Sequence, residues 1–218
     1  MRRVIISVLA LFGFLVFSII AVANEGTIAF VGATIIDGTD ADPLEDGVLV
    51  ITDGRIRTVG PRSAVTLPSG TEVIDVAGKY IMPGLINAHG HVGATVGLNG
   101  NGGYTRNNLL RQLGLYARYG VTSVNSLGGD QVEGFDLRNE QFDNGLNRAR
   151  IYVAGSVVVG DSEQAIRDEV NRNADMGADF IKVRIDDNLG ASEKMSRPFF
   201  EALVCLLYTS DAADDVRC

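Results

Sequence analysis

The hydrophobic pattern of this chain changes its rhythm once, near residue 80. Upstream the period is two. Residues 27–36 are β-rich, and residues 47–52 alternate into Asp53-Gly54, a pair that favours positive φ and marks a tight hairpin turn. A strand over residues 55–59 follows, and residues 72–76 form another strand candidate. The stretch reads as a small all-β module over residues 24–79, incomplete by itself. Its acids Asp37, Asp40, Asp42, Glu45 and Asp46 read most simply as a solvated loop, with a cation site as the alternative. Nothing in it has catalytic spacing.

Downstream, strands and helices alternate. The apolar run 80–86 reads as a buried strand, taken as residues 81–88 in full, followed by a Gly-rich loop at 93–103. A helix over 105–119 carries Leu109, Leu110, Leu113 and Tyr116 at helical spacing, with Gly120 as its stop. Strands at 121–127, 150–159 and 180–185 then alternate with helices at 135–149 and 162–176. Ser162 is the N-cap of the latter and Gly177 its stop, and Ser196-Arg197-Pro198 opens another helix. Repeated βα units imply a parallel sheet with right-handed crossovers. Four units in about 125 residues are half of a (β/α)₈ barrel.

The two ends read differently. Arg2 and Arg3 precede an almost wholly apolar run over residues 4–22, and Ala21-Val22-Ala23 has the small-x-small pattern of a cleavage site. Residues 1–23 are therefore expected to be a signal peptide, with an uncleaved anchor as the alternative, since roughly 20 apolar residues span a bilayer. Export to the periplasm or the exterior follows from either. At the other end, residues 205–214 match the translation of a transposase-end sequencing adapter. Residues 205–218 are thus expected to be non-native, and the reading frame truncated near Val204.

That expectation changes the composition little. Both cysteines, Cys205 and Cys218, lie in the suspect tail and say nothing about redox compartment. The leader and the tail carry opposite charges that cancel, so the formal charge of −8 stands without them. An acidic chain with no basic patch excludes nucleic acid as the expected partner. No stable membrane partner is expected either, and an oligomer stays open.

Candidate chemistry begins at Met82-Pro83-Gly84-Leu85-Ile86-Asn87-Ala88-His89-Gly90-His91. His89 and His91 are the only two histidines of the chain. Residues i and i+2 of a strand share a face, so both imidazoles can point at one spot and serve one cation. The plain alternative is a pair of polar residues where a strand opens into a loop. In Asp179-Phe180-Ile181-Lys182-Val183-Arg184-Ile185-Asp186, Ile181, Val183 and Ile185 form an apolar face, and Phe180, Lys182, Arg184 and Asp186 the other. A lysine pointing into a barrel is easily deprotonated, because burial disfavours its charged form. Its neutral amine can take up carbon dioxide as a carbamate able to bridge two metal ions. A salt bridge of Lys182 to Asp186 or Asp187 is the equal alternative.

The segment from Val73 through His91, entered from a β-module, resembles the entry to the amidohydrolase superfamily. The nearest likeness is to the imidazolonepropionase-like and prolidase-like metallo-dipeptidase branch. Gly177-Ala178-Asp179-Phe180-Ile181-Lys182 resembles that branch's fourth-strand segment with its carboxylated lysine. The resemblance covers about residues 27–204. It implies an α/β fold: the first four to five βα units of a metal-dependent (β/α)₈ TIM barrel over residues 80–204, preceded by a composite β-sandwich module and truncated. It implies a divalent metal centre, zinc by family habit and of two ions, with His89, His91 and Lys182 as metal ligands. It also implies hydrolysis of an amide, peptide or cyclic amide C–N bond by metal-activated hydroxide, on a small-molecule or dipeptide substrate. Two further histidines and a proton-shuttling aspartate would come from later strands, and no histidine follows His91. A mononuclear deaminase or lactone hydrolase parent, and an inactive, non-enzymatic half-barrel, are the other readings left open.

Overall fold

The computed structural model describes residues 26–209 apart from 101, 102, 144, 160 and 161. The expected signal peptide at 1–23 and the end of the expected adapter tail, 210–218, lie outside the described residues. The chain forms two compact units, one of residues 26–34 with Leu44–Lys79, the other of Ile35–Pro43 with the chain from Tyr80 onward.

In the first unit, β1 (Ile28–Ile35), β2 (Leu44–Thr52), β3 (Arg55–Pro61) and β4 (Glu72–Asp75) lie side by side in the order β3-β2-β1-β4. β2 and β3 are antiparallel, β1 and β4 parallel. Alternation puts Ala29 and Val31 of β1 inward, where they meet Val48 and Val50 of β2 in a small core closed by Val65 and Leu67. The hairpin turn is where its residues demand it, with Asp53 at φ 52° and Gly54 at φ 70°. The acids at Asp37, Asp40, Asp42, Glu45 and Asp46 are all exposed.

The second unit corrects the expected buried strand at 80–86. That run is two strands, β5 (Tyr80–Ile81) and β6 (Leu85–Gly90), parted at Pro83, which has no N–H to give a ladder. Nor is it buried: Ile86 is 68% exposed and Leu85 52%. Among the described residues β6 is an edge strand of the parallel sheet β6-β7-β8, and the helix Arg106–Arg118 packs against its neighbour instead. Here β7 is Val121–Ser126 and β8 is Arg150–Val153.

α1 (Arg106–Arg118) is capped by Thr105, whose side chain accepts from Asn108 N, and ends at Gly120 with φ 81°. Leu109, Leu113 and Tyr116 face the core with Val124, Ile151 and Val153, whereas Leu110 lies about 100° round the helix from Leu109 and is exposed. The expected helix at 135–149 is instead α2 (Val132–Asn139). Side chains meet the backbone of its last turn and of the strand that follows. Arg148 Nη2 donates to Leu137 O at 2.6 Å, and the buried Gln141 accepts from Ile151 N at 2.8 Å. β8 likewise ends before the expected residue 159, at the left-handed Gly155, where a Cβ would stand 2.4 Å from Asn173 Oδ1.

α3 (Glu163–Asp175) is capped by Ser162 as its sequence predicts. The expected fourth strand at 180–185 is reduced to one parallel bridge, Val158 with Val183, carried by Val158 N to Lys182 O at 2.7 Å and Arg184 N to Val158 O at 3.3 Å. The chain turns through left-handed conformations at Gly155 before the bridge and at Asn188-Leu189 after it. Ile181 and Val183 still pack under α3 and α4 (Arg197–Thr209), around Val158, Ile166, Val170 and Leu203. Helix α4 continues through the expected junction at Cys205, and Leu206 and Leu207 join that packing.

A candidate metal centre at the carboxyl ends of the strands

His89 is the penultimate residue of β6 and His91 follows its last, so the strand's alternation sends both imidazoles to one side. Their ring centroids are 5.4 Å apart, with the planes tilted by 54°. Gly90, between them, packs so closely on β7 that a Cβ would come within 2.9 Å of Val124 Cγ1. Both histidines and Lys182 line one open cavity of about 620 Å³, together with Val157, Arg184, Asp186 and Lys194. Lys182 reaches it because its backbone is held to Val158 by the bridge, with the apolar neighbours on either side turned into the core. All three residues singled out for metal ligation thus line the same cavity.

The tautomer of His91 is set by its second nitrogen. Nδ1 lies 3.2 Å from the carbonyl oxygen of Gly128. A carbonyl only accepts, so this contact calls for the proton on Nδ1, and in the neutral imidazole that leaves the Nε2 lone pair to ligate a metal. Lys182 makes no ion pair with Asp186 or Asp187 among the described residues, and Asp186 instead accepts from Asn188 N at 2.9 Å. The cavity wall therefore carries the cations Lys182, Arg184 and Lys194 against a single carboxylate. Among the described residues no three His, Cys, Asp or Glu side chains converge on one point. Two imidazoles sent to one side, and a lysine that makes no carboxylate ion pair among the described residues, are the groups here that could hold a metal ion.

Behind the histidines lies a buried polar cluster whose importance a sequence pattern does not show. Asp130, 6% exposed, accepts from Ser126 Oγ at 2.6 Å, Tyr104 OH at 3.3 Å and Ala154 N at 2.9 Å. Ser126 in turn accepts from Val92 N at 3.1 Å. Burial pushes the Asp130 carboxyl up, against the hydrogen bonds that favour its charged form. Burial first, and the Asp130 charge second, push the Tyr104 hydroxyl far above the usual tyrosine range. In the sequence Gly128-Gly129-Asp130 has only the signature of a turn.

No family model matches the chain. A 5-methylthioadenosine/S-adenosylhomocysteine deaminase of Symbiobacterium thermophilum is 38% identical over 66 residues, 30% of this chain and 15% of that protein. In fold, a molinate hydrolase aligns with a TM-score of 0.72 and 22% identity, over 86% of this chain and 52% of the other. A prolidase complexed with N-methylphosphonate-L-proline aligns at 0.69 with 22% identity, over 85% and 54%. The relatives by sequence, deaminases and an imidazolonepropionase, are amidohydrolase-superfamily members, and the neighbours by fold are prolidases and amidohydrolases. The chain spans about half the length of the solved structures it matches, and its matched segments span about a seventh of the curated relatives.

Proposed function

We propose that this chain carries the first half of a metal-dependent (β/α)₈ amidohydrolase that hydrolyses a C–N bond, with His89, His91 and Lys182 as metal ligands. The observation that carries the reading is the meeting of those three side chains on one cavity at the carboxyl ends of parallel strands. When bound, a divalent metal, zinc by the donor set, would supply Lewis acidity and a lowered pKa for water. The chain's own residues do the rest. Gly128 O fixes the tautomer of His91. Lys182 Nζ would first give up a proton to become the neutral amine, then add carbon dioxide with release of a second proton, changing from a cation to an anionic carbamate that would serve as a metal donor. Arg184 and Lys194 stand in the same wall, where they can hold the carboxylate of a dipeptide or other anionic small molecule. The apolar leader at residues 1–23 supports an exported protein.

The deaminase names among the sequence relatives favour a second reading, a mononuclear centre in which Lys182 stays an amine. Metal analysis of the complete gene product separates the two. Two ions per chain, lost together with hydrolysis of dipeptides or other amides on His89→Ala or His91→Ala, supports the binuclear reading. One ion with deamination supports the second, and no bound metal overturns both.

A further inference from the structure

Asp130 does not line the cavity, yet it ties together the backbone that shapes it. Its carboxylate collects donors from three places. Tyr104 OH stands just before α1, Ser126 Oγ ends β7, and Ala154 N is the first residue after β8. Its own N–H donates to Gly155 O at 3.1 Å. Through Ser126 the cluster also holds Val92 N, the peptide next to His91. Between Ser126 and Asp130 the chain makes a turn at Gly128 and Gly129, with φ 109° and 82°. That turn is closed on the histidine side by Leu127 N donating to Gly90 O at 2.9 Å. The carbonyl presented to His91 Nδ1 belongs to Gly128, in the middle of this turn.

We infer that Asp130 is a positioning residue for His91: by anchoring the Gly128-Gly129 turn it sets the tautomer and the direction of that imidazole. The inference rests on the reading of His91 as a metal ligand and extends it outward from the cavity. An ion's affinity depends on such outer partners, and their loss typically weakens it 10–100-fold. The carboxylate alone accepts from all three donors, with Ala154 N shared with Ser126 O at 3.1 Å. Ser126 Oγ and Tyr104 OH both donate to Oδ1 and Ala154 N to Oδ2, so an asparagine with its one acceptor oxygen in the first place sets an N–H₂ donor against Ala154 N in the second.

The chain's two histidines make the test direct, since every imidazole signal belongs to His89 or His91. Long-range proton–nitrogen spectra of the 218-residue chain should show His91 protonated at Nδ1 in the wild type. In Asp130→Asn the His91 signals should move toward a mixture of tautomers while those of His89 hold, and the zinc dissociation constant, titrated with zinc alone, should rise at least tenfold. Ser126→Ala, a smaller change in the same chain of bonds, should move both readouts in the same direction by less. Wild-type tautomer and zinc affinity within twofold in both variants would overturn the positioning role. Failure of zinc to perturb His91 in the wild type would instead overturn the ligand reading on which it rests.

Discussion

Arg138 grips Asp179 in a near-bidentate pair, with Nη2 2.8 Å and Nε 3.1 Å from Oδ1, and so joins α2 to the chain three residues before Lys182. Asp179 Oδ2 also accepts from Val153 N at 2.9 Å, and Arg138 Nη2 donates to Gly177 O at 2.8 Å. The pair is mostly out of solvent, with side chains 25% and 18% exposed. Removing the carboxylate would take the acceptor from Arg138 Nε and from Val153 N, and would leave the guanidinium held only by Gly177 O and Asn139 Oδ1. Asp179→Ala should cost about 1–3 kcal/mol, read from urea unfolding, and should speed amide exchange at Lys182. An unchanged midpoint would show the pair to be ornamental.

The packing of α1 gives a sharper contrast. Leu113 is fully buried among Val124, Ile151 and Val153, while Leu110 on the same helix is 36% exposed. Leu113→Ala should destabilise by about 2–5 kcal/mol, whereas Leu110→Ala should stay within about 0.5 kcal/mol. Thermal or chemical denaturation of the two variants side by side checks the orientation of the helix.

Tyr104 sets a pH dependence. An unfolded tyrosine ionises near 10, and in the fold burial and Asp130 hold the proton to higher pH. The native state thus binds more protons above pH about 10. Its stabilisation is complete below that value and is lost as pH rises through the folded one. The stability advantage of wild type over Tyr104→Phe should therefore shrink between about pH 9 and pH 11. Denaturant midpoints at the two pH values measure it, and a constant difference would refute the assignment.

Lys182 and Asp186 share the cavity but should answer differently. In the complete gene product, Lys182→Ala should take metal content from two ions toward one or none, with partial recovery of activity from bicarbonate and a short carboxylic acid. Asp186→Asn should leave the metal content unchanged, since Lys182 forms no ion pair with it among the described residues. Full metal content in Lys182→Ala would remove Lys182 from the centre.

What could be read from the sequence was local. The Asp53-Gly54 hairpin and the Ser162 cap follow from the conformations and hydrogen bonds of a few adjacent residues. The juxtaposition of His89 and His91 needs only a two-residue period, and the apolar neighbours of Lys182 give its direction. The ends of α2 and β8 were not legible, because distant side chains set them: Arg148 on Leu137, Gln141 on Ile151, Asn173 against Gly155. The bury-or-expose decision for Leu85 and Ile86 depends on whether a second strand lies beside β6, which no apolar run encodes. Asp130 was illegible for the same reason, since three of its partners are side chains or peptides of other elements.

The arrangement around Asp130 also has a meaning in time. Of its three donors, Ser126 is four residues away, but Tyr104 and Ala154 are 26 and 24 away on opposite sides. Its shell is complete only when the first helix and third parallel strand of the unit have both docked. A contact that forms late in folding, when lost, accelerates unfolding more than it slows folding. The order of the histidine pocket would then be governed by a lifetime as much as by an equilibrium. A chain that unfolds quickly would present His91 in its metal-ready form only in brief intervals, whatever its average stability.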